Sequence, residues 1–169
     1  MNLVASRFRL NKETQVIDRR TMLGLILMAV PASACAKPAK MPQLTIYKSP
    51  YCGCCGAWVD RIKGSGFKAV INEMDDVTPV AEKLGVPGSM RSCHTAVLDG
   101  YFIEGHVPAA DIRRLLRERP KARGIAVPGM PIGSPGMEQG NRRDAYDTML
   151  VLNDGSAKVF AQHNRPVGN

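Results

Sequence analysis

Three cysteines within four positions, in Ser49-Pro50-Tyr51-Cys52-Gly53-Cys54-Cys55-Gly56, constrain this chain more than any other feature. An alternating apolar segment (Leu44, Ile46) leads into the stretch, and a segment with helical spacing (Trp58, Val59, Ile62) leads out of it. A strand that turns directly into a helix leaves backbone N–H groups unpaired at the turn, and these favour negative charge. Thiols placed there ionise more readily than free thiols, so they suit nucleophilic chemistry or soft-metal binding. Cys52 and Cys55 form a C-x-x-C pair. A dithiol redox site needs only two sulfurs, whereas the third, Cys54, suits a site that holds metal.

The start of the chain reads as an export signal. Arg7, Arg9, Lys12, Arg19 and Arg20 precede an apolar run from Met22 to Val30, and Pro31-Ala32-Ser33-Ala34-Cys35-Ala36 supplies small residues for cleavage. The run is too short to span a bilayer. Arg19-Arg20 before Thr21-Met22-Leu23 also fits a twin-arginine signal, which leaves that route and ordinary Sec export both open. Cleavage after Ala34 would make Cys35 first and allow a lipid anchor, but Ala32 stands where such signals carry a large aliphatic residue. The expectation is a soluble periplasmic product, with residues 1–36 as signal and residues 42–163 as one metal-binding domain. Loss of residues 1–36 lowers the formal charge from +8 to +5. The remaining excess gathers in Arg113, Arg114, Arg117, Arg119, Lys121 and Arg123, which without a recognition motif or stacking aromatics reads as a solvated helix face and not a nucleic-acid surface.

Alternation and turn residues order the domain. Gln43 to Lys48 predicts a strand, with Leu44, Ile46 and the Lys48 stem on one side; Ala57 to Lys63 predicts a helix with Trp58 as a core anchor, ended by Gly64-Ser65-Gly66. Phe67 to Ile71 predicts a second strand, and Thr78-Pro79 opens a short helix that ends at Gly85. Val86 to His94 reads as a loop. Thr95 to Leu98 and Tyr101 to Glu104 then form a hairpin about Asp99-Gly100, and Ala109 to Glu118 forms a helix. The order β-α-β-α-β-β-α is an α/β, thioredoxin-like arrangement, in which the turn after the first strand lies beside the loop before the third. Cys93 should therefore arrive next to Cys52, Cys54 and Cys55. Gly124 to Gly140, rich in glycine and proline with Met130 and Met137, reads as neither helix nor central strand. It is either a flexible surface loop or a lid that brings thioethers over the sulfurs. Thr148 to Leu152 and Ala157 to Phe160 form a closing hairpin about Asn153-Asp154-Gly155-Ser156.

Four sulfurs allow several chemistries. Structural zinc is disfavoured because adjacent Cys54 and Cys55 cannot easily fill two vertices of one tetrahedron, and the spacing fits no common iron–sulfur pattern. Copper(I) accepts low-coordinate and bridging thiolates, so several ions can share few cysteines. A disulfide from the cluster to Cys93 is the plain structural alternative. Thiol–disulfide exchange by Cys52 as attacking thiolate and Cys55 as resolving thiol is the catalytic alternative, although Cys93 stands where thioredoxins place a substrate-binding proline. His94 and His106 fall on loops expected near the sulfurs and join as further candidate ligands; His163 has no such support. Met130 and Met137, with Met90, rank behind them because methionine is usually packing.

Taken together, Tyr47-Lys48-Ser49-Pro50-Tyr51-Cys52-Gly53-Cys54-Cys55-Gly56, Ser92-Cys93-His94-Thr95-Ala96-Val97, Glu104-Gly105-His106-Val107-Pro108 and Val127-Pro128-Gly129-Met130-Pro131-Ile132-Gly133-Ser134-Pro135-Gly136-Met137-Glu138 resemble the CopG-type family of exported, thioredoxin-like metal-binding proteins linked to bacterial copper resistance. The resemblance runs from about Leu44 to His163. It implies copper bound by Cys52, Cys54, Cys55 and Cys93, as a multinuclear copper(I)–thiolate cluster, and a role in detoxification or in interconverting copper redox states. The partners it implies are copper ions and another periplasmic copper-handling protein. Whether the chain turns over as an oxidoreductase stays open.

Overall fold

A computed structural model describes residues 43–165. The expected signal segment, residues 1–36 with Arg19-Arg20 and Cys35, lies outside the described residues. The elements run β1 (Gln43–Lys48), α1 (Gly53–Gly64), β2 (Lys68–Glu73), α2 (Thr78–Lys83), a 3-10 turn (Gly88–Met90), β3 (His94–Leu98), β4 (Tyr101–Glu104), α3 (Ala109–Glu118), β5 (Ala122–Ala126), β6 (Tyr146–Leu152) and β7 (Ala157–His163). All the strands join one sheet in the order β2-β1-β3-β4-β5-β6-β7. β1 pairs parallel with β2 and antiparallel with β3, and β4 pairs parallel with β5. The α/β, thioredoxin-like reading holds.

Strand alternation divides the apolar residues into two layers. Leu44, Ile46, Ala96, Leu98, Ile103, Ile125 and Leu150 pack with Trp58, Val59 and Ile62 of α1 and with Ile112 and Leu115 of α3. Their strand neighbours Phe102, Ala126 and Val151 pack with Ala81 of α2, Val86, Leu84 and Met90. Trp58 anchors the first layer as expected: it is fully buried, and its indole N–H donates to the Val107 carbonyl at 2.9 Å. The Lys48 stem lies on the side of Leu44 and Ile46, and its ammonium reaches Glu73 at 2.9 Å.

Two sequence expectations are corrected. Helix α1 starts at Gly53 and not at Ala57, so Cys54 and Cys55 lie inside its first turn. Gly53 and Gly56 look like turn residues, yet a Cβ on either would meet nothing, and Cys52 in extended conformation already serves as the N-cap. The second correction concerns Gly124 to Gly140. Its first residues form the inner strand β5, because Gly124 is there for close approach: a Cβ would stand 2.2 Å from the Phe102 carbonyl oxygen of β4. The closing hairpin extends the sheet, and its strands run from Tyr146 and to His163, beyond the expected bounds.

Several of the basic residues on and after α3 are held by structure. Arg114 stacks on Phe160 and pairs with Glu118 at 2.7 Å, Arg119 pairs with Asp99, and Arg123 donates to the Asn153 carbonyl.

Candidate metal centre

The site sits where β1 hands over to α1. The bend Ser49–Cys52 closes with the Cys52 N–H donating to the Ser49 carbonyl at 3.2 Å, and the helix then begins. No acidic residue occupies the first turn of α1, so its free N–H groups face the sulfurs uncompensated. The sulfurs of Cys52, Cys54 and Cys55 lie within 4.8 Å of one another, the only group of this kind among the described residues. Cys52 and Cys54 are half-buried with their sulfurs 3.5 Å apart; Cys55 is fully buried. With metal–thiolate bonds of about 2.3 Å, as for zinc, sulfurs at this spacing can share an ion.

Cys52 and Cys55 are joined as a disulfide, and Cys54 and Cys93 are thiols. The bond therefore lies within the C-x-x-C pair and does not run to Cys93, because α1 brings residues three apart onto one side of its first turn.

β1 and β3 are neighbours with Lys48 opposite His94, which places the Cys93 loop beside the Cys turn as the topology predicts. The Cys55 sulfur lies 3.6 Å from the Cys93 carbonyl oxygen. The Cys93 sulfur stands outside the group of three and faces Met130, its thiol donating to the thioether at 3.8 Å. Burial, then the proximity of Cys54 and Glu104, pushes the Cys93 thiol up from its ordinary value.

The histidines have separate environments. His94 opens β3 and does not belong to a loop; it is fully buried, with its ring 4.4 Å from that of Trp58 and 5.1 Å from that of His106. Neither of its ring nitrogens makes a well-formed hydrogen bond, and burial, then the neighbouring His106, lowers its pKa to about 3 against a smaller upward pull from the Gly105 backbone, so the ring is neutral. His106 is also buried; its Nδ1 contacts the Pro135 carbonyl at 2.9 Å while Nε2 has no partner. Neither ring joins the three-sulfur group. His163 packs elsewhere, against Asp111 and Tyr146. Met90 packs under α2.

The Gly/Pro/Met segment after β5 lies over α1. A Cβ on Gly136 would stand 2.6 Å from the Trp58 nitrogen and 2.9 Å from the Cys54 carbonyl oxygen, so only glycine lets the loop come this close. Glu138 pairs with Arg61 of α1 at 3.0 Å, and Ser134 is fully buried. Met130 and Met137 line a shallow groove with Gly53, Cys54 and Ala57. This geometry favours the lid over the idle loop.

Sequence reasoning did not give Glu104 a role. The carboxylate is fully buried, accepting from the Ser92 N–H and from the Thr95 hydroxyl, both at 2.6 Å, and so fastens the loop on either side of Cys93. Burial raises its pKa to about 7. The available signal was an acidic residue closing an otherwise apolar strand.

Among solved structures, the chain is similar to "Copper resistance protein copG- Form 2", with 48% identity and a TM-score of 0.70 over 73% of this chain and 98% of that one. A second structure, "Copper resistance protein copG- Form 1", aligns at 49% identity with a TM-score of 0.68, over 72% of this chain and 96% of that one. The chain belongs to the CopG copper-resistance family. Residues 90–137 also match the family described as "Protein of unknown function, DUF411". That stretch holds Cys93, His94, Glu104, His106, Met130 and Met137 but not the C-x-C-C turn, so the CopG relationship spans more of the site. No curated protein matches. No helix among the described residues is long and apolar enough to cross a membrane. Copper binding fits this CopG-family chain, because its clustered donors are cysteine sulfurs, which once reduced to thiolates are the ligands that soft metals prefer.

Proposed function

We propose that this chain is an exported, periplasmic copper-binding protein that holds copper(I) on Cys52, Cys54, Cys55 and Cys93, as a multinuclear thiolate cluster, in copper resistance. The observation that carries the reading is the group of three sulfurs within 4.8 Å at a helix N-terminus. An external dithiol, itself oxidised to a disulfide, reduces the Cys52–Cys55 disulfide to two thiols by supplying two electrons and two protons, and each thiol that takes copper(I) then releases a proton. The helix N-terminus favours the resulting thiolates, and bridging sulfurs let four cysteines serve more than one ion. Glu104 holds the Cys93 loop toward the turn, and His94 and His106 stand behind it as nitrogen donors suited to a more oxidised copper.

The test is anaerobic copper(I) titration of the reduced exported form, with metal analysis and X-ray absorption at the copper edge. Several ions per chain, sulfur ligation and short copper–copper distances are expected. Cys52→Ser and Cys93→Ser should each lower the count, and full retention in both would overturn the ligand set.

The disulfide favours a second reading, a thiol–disulfide oxidoreductase. Cys52 is half-buried and Cys55 fully buried, the asymmetry expected of an attacking and a resolving thiol. Cys55→Ser should then trap a mixed disulfide between Cys52 and a partner. A wild-type protein that binds no copper, together with such a trapped species, would select this reading.

A further inference from the structure

We infer that Tyr51 and Gly53 form a docking edge for a protein dithiol that reduces the Cys52–Cys55 disulfide. The inference rests on the reading above, in which this turn is reduced before it takes copper, and it names the kind of partner that reduces it.

Tyr51 is 88% exposed and Met130 52%, the two most exposed large apolar side chains among the described residues, and both border the sulfurs. Tyr51 directly precedes Cys52, and Met130 Sδ lies 3.8 Å from Cys93 Sγ. A lone exposed apolar residue is ordinary on a protein surface. Tyr51 differs because the bend that carries it is held: its own N–H donates to the Ser49 hydroxyl at 3.3 Å, and the Cys52 N–H donates to the Ser49 carbonyl at 3.2 Å. An aromatic ring on a fixed bend gives a partner contact area at small entropic cost, the character of an interface anchor.

Gly53 is the second observation. It opens the first turn of α1, where glycine weakens a helix relative to alanine. Its backbone has no left-handed angle and a Cβ would meet nothing within 4 Å, so nothing in the described residues asks for glycine. What a Cβ would obstruct lies outside the chain: a partner's backbone approaching Cys52 and Cys54, which flank Gly53. No charged residue stands between Lys48 and Asp60, and Glu73 takes up the Lys48 ammonium at 2.9 Å. The edge therefore presents apolar and sulfur surface, and it fits a partner whose reactive sulfur is set in an apolar lip. A small thiol needs neither the ring nor the gap.

Burial sets which sulfur is attacked. Cys55 is fully buried, whereas Cys52 is half-buried beside Tyr51. A thiolate of the partner attacks Cys52 Sγ; a mixed disulfide forms as the Cys52–Cys55 bond breaks, and Cys55 leaves as a thiolate that takes up a proton. The partner's second thiolate then attacks the partner's first sulfur, which closes the partner's own disulfide and frees Cys52 as a thiolate that takes up a second proton. The partner gives up two electrons and two protons, and the chain gains both pairs.

The oxidised, copper-free exported form is mixed with excess reduced thioredoxin as the protein dithiol, or with dithiothreitol as the small one. Samples are quenched with iodoacetamide and followed by intact mass as alkylated thiols appear. Tyr51→Ala should be reduced by thioredoxin about tenfold more slowly than wild type and Gly53→Ala about threefold, while both react with dithiothreitol at the wild-type rate. Tyr51→Phe, which keeps the ring, should match wild type with both reductants. An unchanged thioredoxin rate in either alanine variant overturns that residue's part in docking. Equal slowing with dithiothreitol overturns the inference as well, by making the effect one on the disulfide itself. Tyr51→Ala, chemically reduced and freed of reductant, should also bind as much copper(I) as wild type, and a lower count would assign Tyr51 to the metal site instead. Wild-type protein that binds no copper but shows the selective slowing defeats the copper reading and supports the docking edge on the thiol–disulfide reading alone.

Discussion

Two histidine clusters pack on this sheet, one half-buried and one fully buried, and they are built on opposite terms. At β6 and β7, His163 stacks on Tyr146 at 4.6 Å while its Nε2 lies 2.8 Å from an Asp111 oxygen that also accepts from the Thr148 hydroxyl at 2.6 Å. At β3, His94 packs against Trp58 with the rings tilted at 40° and both nitrogens unpartnered, and its neighbour His106 leaves one unpartnered. Four strand spacings, about 19 Å, separate β3 from β7. A buried polar group without a partner costs stability, so the first cluster holds α3 to the hairpin while the second gives up stability beside the sulfurs. The contrast marks which histidines belong to the fold and which to the site.

The strongest challenge to this contrast is Asp111→Ala. It leaves Thr148 and His163 without their shared acceptor and should cost about 3 kcal/mol in urea unfolding. The copper count at saturation should not change. Equal losses of copper and stability would mean that the two clusters are not independent.

His94→Phe should act in the other direction. Replacing an unsatisfied ring by an apolar one of similar shape should stabilise the copper-free protein by about 1–2 kcal/mol, read as a higher urea midpoint. His163→Phe, made in the satisfied cluster, should lower the midpoint. If both substitutions destabilise, the partnerless nitrogens of His94 are not a cost to the fold.

The pH dependence sharpens the same point. His94 protonates near pH 3 when folded but near its ordinary 6.5 when unfolded, so its contribution is complete above pH 6.5 and is lost as pH falls toward 3. Glu104 is raised to about 7 from 4.5, so its contribution is complete below pH 4.5 and is lost as pH rises through 7. Between pH 4.5 and 6.5 the two slopes cancel. Below 4.5 the His94 slope stands alone at about 1.4 kcal/mol per pH unit. His94→Phe should remove this acid-side loss and leave stability falling from pH 4.5 to 7. Urea midpoints measured across this range on wild type and variant check the sign.

The smallest effect belongs at the exposed rim of the satisfied cluster. Arg165 pairs with Asp147 through both carboxylate oxygens at 2.8 and 2.9 Å, yet its loss in Arg165→Ala should cost less than about 1 kcal/mol and shrink further in high salt.

The parts of the fold legible in the sequence were those set by local pattern. β1, β4 and α3 occupy the bounds that alternation, the Asp99-Gly100 turn and the Ile112/Leu115 spacing predict. β5 was hidden because Gly124 and the prolines after it look like loop, while the reason for Gly124 is the Phe102 carbonyl on another strand. The start of α1 was hidden because Gly53 and Gly56 look like breaks when they are simply unopposed helix positions. At the site, the sulfur turn was legible because its residues are adjacent in sequence. The approach of Cys93 followed from strand order alone. Glu104 was not legible, since its partners Ser92 and Thr95 are set by pairing across β3 and β4.

The direction of β6 has a practical consequence. β4 and β5 run parallel, ending where Glu104 and Val127 border the sulfur site, and β6 runs back from that edge, so its Asn153–Ser156 turn emerges at the other end of the sheet. A fluorophore or surface tether attached at Asp154 would therefore report on the molecule without standing in the way of its cargo, and single-molecule or immobilised formats should be built from that turn.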